Sequence, residues 1–158
     1  MRRWAISILL VGFCLVAVAP DGAAAQPDPS GLVIVESENN VQTTADKLEK
    51  ILKSKGITVF GRVDHAAGAK KVGKELRPTV LLIFGNPKLG TPLMQKQQKF
   101  GIDLPMKALI YKAPDGNTYI AYNDPAYLSK RHKVSEPAKV FQTMSKALKN
   151  FTAAAAKK

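Results

Sequence analysis

The segment VLLIFGNP at residues 80–87 decides the fold class. Its first five residues, 80–84, are apolar at every position, which is typical of a strand buried on both faces in the middle of a sheet. The glycine, asparagine and proline that follow are turn residues, and they end the strand in a loop. We therefore expect a central strand at 80–84 with further strands on both sides of it.

Outward from this strand, the sequence predicts five strands and five helices in the order βαβαβαββαα. Apolar runs predict the strands, and apolar residues spaced three and four apart predict the helices. The turn sequence PDGN at 114–117 predicts that the last two strands form an antiparallel hairpin. The predicted strands lie at 32–35, 57–63, 80–84, 106–112 and 118–122, and the predicted helices at 41–52, 66–76, 92–100, 125–132 and 135–151. We expect a two-layer α+β domain in which the helices pack on one mixed β-sheet.

Polar residues predict where three of the helices start. Asn39 or Asn40 is the expected N-cap of the first helix, because short polar side chains accept hydrogen bonds from free N–H groups of the first turn. The pairs Thr91-Pro92 and Asp124-Pro125 have the order of an N-cap followed by a proline at the first helical position. Each pair therefore predicts a helix that begins at its proline.

The first 25 residues have the pattern of a cleavable bacterial signal peptide. Arg2 and Arg3 precede an apolar run, and the small residues at 23–25 fit a cleavage site. The apolar run, residues 5–19, has about 15 residues, fewer than the roughly 20 that a membrane-spanning helix needs. We predict general secretion to the periplasm or the medium, cleavage after Ala25 or a nearby residue, and no stable membrane anchor after cleavage.

The chain that remains after cleavage has the size of one domain. Removing residues 1–25 from the 158-residue sequence leaves 133 residues, enough to bury a core. We expect a disordered lead-in at 26–30, one α+β domain at 31–151 and a frayed tail of alanine and lysine at 152–158. The single cysteine, Cys14, leaves with the signal peptide, so the mature domain has no disulfide or cysteine metal ligand.

The mature chain is strongly basic. The sequence has 24 basic and 12 acidic residues, and loss of Arg2, Arg3 and Asp21 leaves 22 against 11, a net charge of +11. Such a charge favours acidic partners, and anionic lipid or cell-wall polymer stays open as a partner. The lysines are spread along the chain, and no aromatic and basic nucleic-acid motif is present. We therefore expect no nucleic-acid partner.

Four segments together resemble one known family. They are VFGRVDHAAGA at 59–69, LRPTVLLIFGNPKLGTPLM at 76–94, GIDLPMK at 101–107 and YNDPAYLSKRH at 122–132. The chain resembles the domain of unknown function 302 family over essentially the whole of 31–132. The resemblance implies a compact two-layer α+β domain that is able to dimerise, and it brings no reaction, substrate or cofactor. The positions that match its signature are Asp64, His65, Gly68, Asn86, Pro87, Gly90, Thr91, Pro92, Asp103, Asn123, Asp124, Pro125 and His132.

His65 is the candidate for acid–base chemistry, because it follows the second predicted strand directly. Asp64 is a poor partner, since adjacent residues of a strand point to opposite faces. Asp103 or Asp124 could serve if the fold brings one of them within hydrogen-bond reach. The alternative is a partly buried histidine that is hydrogen-bonded to the backbone. Asp124 and His132 are about 12 Å apart along a helix axis, too far for a direct pair.

The loop at 85–94 is the candidate for anion binding. It leaves a buried strand and enters a helix whose first N–H groups are free to hold an anion. Gly90 would allow a close backbone approach, and Thr91 could add a hydroxyl. The alternative is ordinary turn and cap chemistry. We expect no metal and no cofactor, since a metal site would need scattered carboxylates to converge and no nucleotide-binding or esterase motif is present.

The leading hypothesis is a non-catalytic periplasmic binding domain for a small ligand, an anion being one candidate. The ligand would lie between the His65 segment, the loop at 85–94 and the Asn123-Asp124 turn, which must then share one end of the fold. One alternative is an enzyme that uses His65 with Asp103 or Asp124. Another is a structural homodimer, formed by the sheet or the final helix, that contacts anionic envelope components. The ligand-binding candidates are Asp64, His65, Asn86, Gly90, Thr91, Asn123, Asp124 and His132.

Overall fold

The computed structural model describes residues 29–158, so the predicted signal peptide and most of the lead-in lie outside the described residues. The strands are β1 Leu32–Ser37, β2 Thr58–Asp64, β3 Thr79–Gly85, β4 Met106–Lys112 and β5 Thr118–Asn123. The helices are α1 Val41–Ser54, α2 His65–Lys71, α3 Pro87–Lys96, α4 Pro125–His132 and α5 Ala138–Ala156, and a 3-10 helix spans Gln98–Ile102. The two-layer α+β fold and the predicted order of strands and α-helices are confirmed.

The five strands form one sheet in the order β1-β5-β4-β3-β2, and every neighbouring pair is antiparallel. The prediction of a mixed sheet was therefore wrong. Four antiparallel steps make β1 and β2 run in the same direction, but these two strands form the opposite edges of the sheet. The connection through α1 spans the whole sheet, so it creates no parallel neighbours.

Helices α1 and α5 pack against one face of the sheet and against each other. On β3, the residues that face them are Val80, Leu82 and Phe84, all buried, whereas Leu81 and Ile83 are only partly buried. The expectation that both faces of this strand are covered was wrong. A run that is apolar at every position does not reveal which face the helices cover, because both faces carry similar side chains.

Helix α1 begins as predicted, with Asn40 as its N-cap. The side chain of Asn40 accepts a hydrogen bond of 2.8 Å from the backbone N–H of Thr43. The apolar residues at helical spacing are buried against the sheet, among them Ala45, Leu48 and Leu52. The cap and the apolar stripe together place the helix across β2, β3 and β4.

Three helices, α2, α3 and α5, have limits that differ from the prediction, and α3 begins at Pro87 rather than Pro92. Helix α2 ends at Lys71, because Gly73 adopts a positive φ of 69° and the N–H of Lys74 turns back to the carbonyl of Ala69. Helix α5 begins at Ala138, after the proline at 137, and not at 135. The residue that precedes a proline is disfavoured in helical conformation, which explains the later start.

The alanine and lysine tail that was predicted to fray is ordered through Ala156. Helix α5 continues to this residue, and its last turns bury Thr152 and Ala155 against the domain. The loop between β1 and α1 supplies donors for the last carbonyls: the N–H of Glu38 donates to Ala156 O at 2.8 Å, and Asn39 Nδ2 donates to Lys157 O at 2.8 Å. The physical reason is that a helix end leaves four carbonyls without helical partners, and here a neighbouring loop supplies donors to those of Ala155 and Ala156.

Candidate functional site

An apolar pocket of about 270 Å³ lies at the end of the sheet where β3 stops. Its walls come from three parts of the chain: the start of α3, the middle of α5 and the segment 104–106. Phe60 lies at its rim and is 56% exposed, at a β-bulge that interrupts the pairing of β2 with β3. The pocket is therefore formed where four elements meet.

The first wall is the turn from β3 into α3. Asn86 is the N-cap of α3, and its side chain accepts a hydrogen bond of 2.9 Å from the N–H of Lys88. Pro87 occupies the first turn, where its fixed φ suits a helix start. Gly90 lies so close to Leu104 that an added Cβ would come within 3.3 Å of the leucine Cδ1. The close approach predicted at Gly90 thus serves the contact of α3 with the segment 104–106.

The second wall is one face of α5. Met144, Ala147, Leu148 and Phe151 line the pocket, and their spacing of three and four residues puts them on one side of a helix. The sequence predicted Met144, Leu148 and Phe151 as one apolar stripe. It did not reveal that part of the stripe faces a cavity, since a core contact and a cavity wall have the same apolar signature.

The third wall, Leu104 to Met106, follows a buried histidine–carboxylate pair. His132 Nε2 lies 2.5 Å from Asp103 Oδ2, and the two side chains are 8% and 9% exposed. The ring of His132 stacks on Phe100 with ring centroids 4.4 Å apart. Arg131 Nη1 lies 3.5 Å from the other oxygen of Asp103. These contacts connect the end of α4 to the residue that precedes the pocket wall.

The lining of the pocket is apolar and carries no ionisable side chain. Among its residues only Asn86 and Thr91 have polar side chains, and the Asn86 oxygen is already bonded to Lys88 N. An apolar concave surface with a few polar groups is the usual form of a small-molecule site. The pocket can therefore hold an uncharged, largely apolar molecule, with the Thr91 hydroxyl and the Asn86 amide available to orient it.

The predicted candidate residues are divided between the two ends of the sheet. Asn86, Gly90 and Thr91 line the pocket. Asn123 is the last residue of β5 and lies at the same end of the sheet as the pocket, but neither Asn123 nor Asp124 lines the pocket. Asp124 is the N-cap of α4, and its side chain accepts a hydrogen bond of 3.0 Å from the N–H of Ala126.

The His65 segment lies at the other end. Asp64 pairs with Val80 near the start of β3, whereas the pocket lies at its last residue, Gly85. The predicted site that joins all three segments is therefore wrong, because β2 and β3 are antiparallel and the end of one lies beside the start of the other.

The side chain of His65 is exposed at the start of α2, and within residues 29–158 it forms no hydrogen bond or ion pair. The carboxylate that its acid–base role required is therefore not beside it, and the alternative of a partly buried, backbone-bonded histidine was wrong. Asp64 accepts a hydrogen bond from Ala67 N as the cap of α2. Asp103 pairs with His132, a histidine 29 residues away along the chain. No local spacing rule would have identified that pair.

The start of α3 does not offer the predicted anion site. The helix begins at Pro87, so Thr91 and Pro92 lie inside it and are not its cap. Proline has no N–H, the N–H of Lys88 is bonded to the Asn86 side chain, and the N–H groups of residues 89 and 90 donate to the Asn86 carbonyl. The N–H groups of the first turn are therefore already bonded to Asn86, which is the N-cap of this helix in place of the predicted Thr91.

Within residues 29–158, no group of three or more His, Cys, Asp or Glu side chains is arranged to hold a metal ion. In the same residues, every helix is too short or too polar to cross a bilayer.

Comparison with known proteins identifies a family of domains, a related crystal structure and a group of curated proteins with similar sequences. The family model described as "Domain of unknown function DUF302" matches residues 33–151. The crystal structure of an uncharacterized conserved protein DUF302 from Bacillus stearothermophilus superposes with a TM-score of 0.65 at 22% identity, covering 80% of this chain and 95% of that chain. This likeness shows the fold alone.

The curated relatives have a different name. Proteins called fluoride-specific ion channel FluC 1, from Brucella suis biovar 1 and Brucella abortus biovar 1, are each 49% identical over 105 residues, or 66% of this chain. The match covers 41% of the first protein and 39% of the second. The chain therefore spans about two fifths of the length of these relatives.

Proposed function

The chain belongs to the DUF302 family of domains of unknown function, and from that premise we propose that it is a non-catalytic binding module for a small, uncharged, apolar ligand. The ligand lies in the pocket between α3 and α5. The observation that carries the proposal is the lining of this pocket, which is apolar apart from Asn86 and Thr91. A charged ligand would lose its hydration there without gaining a partner, so an apolar molecule fits better than an anion.

The size of the pocket narrows the class of ligand. An engineered protein cavity of about 150 Å³ binds benzene, and drug-sized ligands occupy about 300 to 1,000 Å³. The pocket here, about 270 Å³, lies between these cases. A single substituted ring or a short acyl chain is the matching ligand.

The module works outside the cytoplasm. This part of the proposal rests on the signal-peptide pattern of residues 1–25 and on the family match, which begins at residue 33, after the predicted cleavage site. In the periplasm the domain would collect a small apolar molecule from the aqueous phase. Fractionation of cells that express the full chain tests this location, and a protein retained uncleaved in the cytoplasm would contradict it.

The binding proposal is tested by titration with N-phenyl-1-naphthylamine, a neutral dye that fluoresces in apolar surroundings. Ala147 is a small residue in the pocket wall, so Ala147→Phe places a ring in the cavity and is expected to abolish the dye signal. Ala138→Phe adds the same ring to the same helix at an exposed position and serves as the matched control. Equal dye binding by both variants and the wild type would contradict the proposal.

A second candidate function follows from the Brucella relatives. They are named as fluoride-specific channels, and this chain matches about two fifths of each, so the domain occurs in one polypeptide with a further segment. We propose as the alternative that the domain acts beside a membrane protein that conducts small anions. Fluoride efflux is then measured from liposomes that contain the Brucella suis protein without the matched segment, with and without this protein. A change in efflux supports this alternative, and identical efflux opposes it.

The two candidates differ in what the isolated protein binds. The lining of the pocket offers no cation for fluoride, and its one side-chain N–H donor is the neutral amide of Asn86, so sodium fluoride and sodium chloride are expected to shift the melting temperature of the protein equally. A ligand present at about 100 times its dissociation constant stabilises a protein by roughly 2.7 kcal/mol, so a bound apolar ligand would be detected readily in the same assay.

A further inference from the structure

The chain between α2 and β3 passes over the surface of the domain and exposes both apolar and basic side chains. Every residue from 70 to 78 is exposed, and helix α2 before it has no buried residue. Val72 is 72% exposed, and Leu76 is 48% exposed. Because so much of these two apolar side chains stays in water, their burial against a partner is available to stabilise a complex.

Both ends of this exposed segment are held by hydrogen bonds to the domain. At its start, the N–H of Lys74 donates to the carbonyl of Ala69 at 3.0 Å and closes the end of α2. At its end, Arg77 Nε donates to the carbonyl of Lys112 on β4 at 2.9 Å. The segment therefore presents its side chains from a backbone that is anchored on both sides.

Basic residues flank the two apolar ones in the sequence KKVGKELR at 70–77, which we call the 70–77 loop. Its four cations are Lys70, Lys71, Lys74 and Arg77, and its one acid is Glu75, so its net charge is 4 − 1 = +3. Within residues 29–158 no ion pair involves any of these five side chains. Their charges are therefore available to an external anion.

The acidic side chains of the elements around the 70–77 loop are already bonded to groups of the domain itself. They are Glu38, Asp46, Glu49, Asp64 and Asp115. Glu36 forms no ion pair in the described part of the chain, but it lies on β1, at the opposite edge of the sheet from β2. Lys112 adds a further cation beside Arg77. The surface around the loop is therefore basic.

We propose that the 70–77 loop docks reversibly on the surface of a bilayer that contains anionic phospholipids. Val72 and Leu76 enter the boundary between the headgroups and the acyl chains, and the lysine ammonium groups reach the phosphates on their flexible stems. The loop holds both kinds of group that such a surface attracts: apolar side chains for burial, and cations for the negative surface potential.

This mixture of side chains favours lipid over other acidic partners. An anionic polymer in water would bind the cations and leave Val72 and Leu76 exposed. Single-stranded nucleic acid is usually bound with the help of aromatic side chains that stack on the bases, and the 70–77 loop has none. An anionic bilayer is the partner that uses the cations and the apolar side chains together.

The charge of the loop sets the expected strength of the contact. One lysine or arginine close to an anionic membrane surface changes the affinity about fivefold. The net charge of +3 therefore predicts a preference for anionic over neutral lipid on the order of 100-fold. Salt screens charges at a surface, so the affinity should fall as the ionic strength rises.

The proposal is tested by vesicle sedimentation with the chain from Gln26 onward, which contains every strand and helix that the structure describes. This chain lacks the apolar run at 5–19, which would bind lipid by itself. We expect it to bind vesicles of phosphatidylglycerol and phosphatidylcholine about 100-fold more tightly than vesicles of phosphatidylcholine alone. Equal affinity for the two kinds of vesicle, or no binding to either, would overturn the proposal.

Charge variants locate the contact on the molecule. Lys71→Gln/Lys74→Gln should weaken vesicle binding about 25-fold, and Glu75→Gln should strengthen it about fivefold. The matched control is Lys96→Gln/Lys99→Gln, which removes the same charge at exposed positions in and after α3 and should bind like the wild type. Equal losses in the two double variants would show that only the overall charge matters, and the docking site would then be wrong.

Apolar variants distinguish a bilayer from a polymer. Val72→Asn/Leu76→Asn keeps every charge of the loop, and we expect it to lose most of its binding to vesicles. Polyphosphate is the probe for an anionic polymer. If the wild type binds polyphosphate and this variant loses no affinity for vesicles, the loop is a polymer site and the lipid proposal is overturned. All the substituted positions are exposed, so each variant should fold, and circular dichroism checks this.

Membrane docking and ligand binding fail separately. The 70–77 loop precedes Thr79, the first residue of β3, whereas the pocket lies at Gly85, the last. Variants of the loop should therefore still bind N-phenyl-1-naphthylamine in solution without vesicles.

Discussion

His132 Nε2 lies 2.5 Å from Asp103 Oδ2, and this contact joins the end of α4 to the segment that forms one wall of the pocket. Both side chains are almost completely buried, and the imidazole also stacks on Phe100. The pair lies at the opposite end of β3 from His65, the histidine predicted to act in acid–base chemistry. Its position behind the pocket wall indicates that it holds the wall in place.

Removing this contact should lower stability and loosen the pocket. Asp103→Ala leaves the buried imidazole without its partner, which is expected to cost about 1.5 to 3 kcal/mol of unfolding free energy. Urea denaturation measures the loss, and dye titration should show weaker binding because Leu104 and Pro105 follow directly. Arg131→Ala is the matched control: its ion pair with Asp103 is half exposed and longer, so the cost should stay below about 1 kcal/mol. Equal losses in both variants would contradict this role of His132.

The C-terminal helix should depend on a residue more than one hundred positions earlier. Asn39 Nδ2 donates to the carbonyl oxygens of Ala156 at 3.2 Å and Lys157 at 2.8 Å. Asn39→Ala is expected to cost about 1 kcal/mol, as for other helix-capping contacts, and to speed hydrogen exchange in the last turn of α5. Asn150→Ala, an exposed position of the same helix, is the control. If hydrogen exchange of the amides at 152–156 is unchanged in Asn39→Ala, the tail is held by packing alone and the prediction is wrong.

Alkaline pH should destabilise the fold through Tyr122. Burial raises the pKa of its phenol above the ordinary value of about 10, while a hydrogen bond with Thr152 acts in the opposite direction. A raised folded-state pKa contributes stability that is complete below the unfolded pKa and is lost as the pH rises through the folded pKa. Tyr122→Phe should therefore lose less stability than the wild type between pH 9 and pH 11 (about one unit on each side of the ordinary tyrosine pKa). Tyr127→Phe, which changes an exposed tyrosine, should follow the wild type.

Gly31 should not tolerate a side chain, for two separable reasons. Its φ is 82°, and an added Cβ would lie 2.2 Å from Cγ of Tyr127. Gly31→Ala is expected to cost more than the 1 to 2 kcal/mol typical of a left-handed backbone alone. In a double-mutant cycle with Tyr127→Ala, the clash disappears and a residual cost of about 1 kcal/mol should remain. Additive effects of the two substitutions would contradict the contact.

The sequence revealed the elements more completely than their arrangement. Strands, helices and the cap at Asn40 could be predicted, because each depends on residues within one turn or one strand. The antiparallel sheet could not, since the pairing of β1 with β5 joins residues such as Leu32 and Asn123 that are far apart in the chain. The same limit applies to Asp103 and His132, both of which were candidates but were not assigned to each other.

The candidate site was predicted in part. Asn86, Gly90 and Thr91 were identified because their loop leaves a buried strand and enters a helix whose first N–H groups could hold an anion, and all three line the pocket. The chemical character of the site was predicted incorrectly, because the prediction rested on polar residues, whereas the walls of the pocket are apolar. Ala147 carries no sequence signal at all: its place in the pocket depends on how α5 crosses the end of the sheet.

The central claim is tested most directly by heteronuclear NMR of the labelled protein during addition of N-phenyl-1-naphthylamine. We predict that the amide signals of Gly85, Gly90 and Ala147 shift together in a saturable manner, while that of His65, at the other end of the sheet, stays unchanged. Shifts that centre on His65, or that spread over the surface without saturation, would contradict a ligand site between α3 and α5.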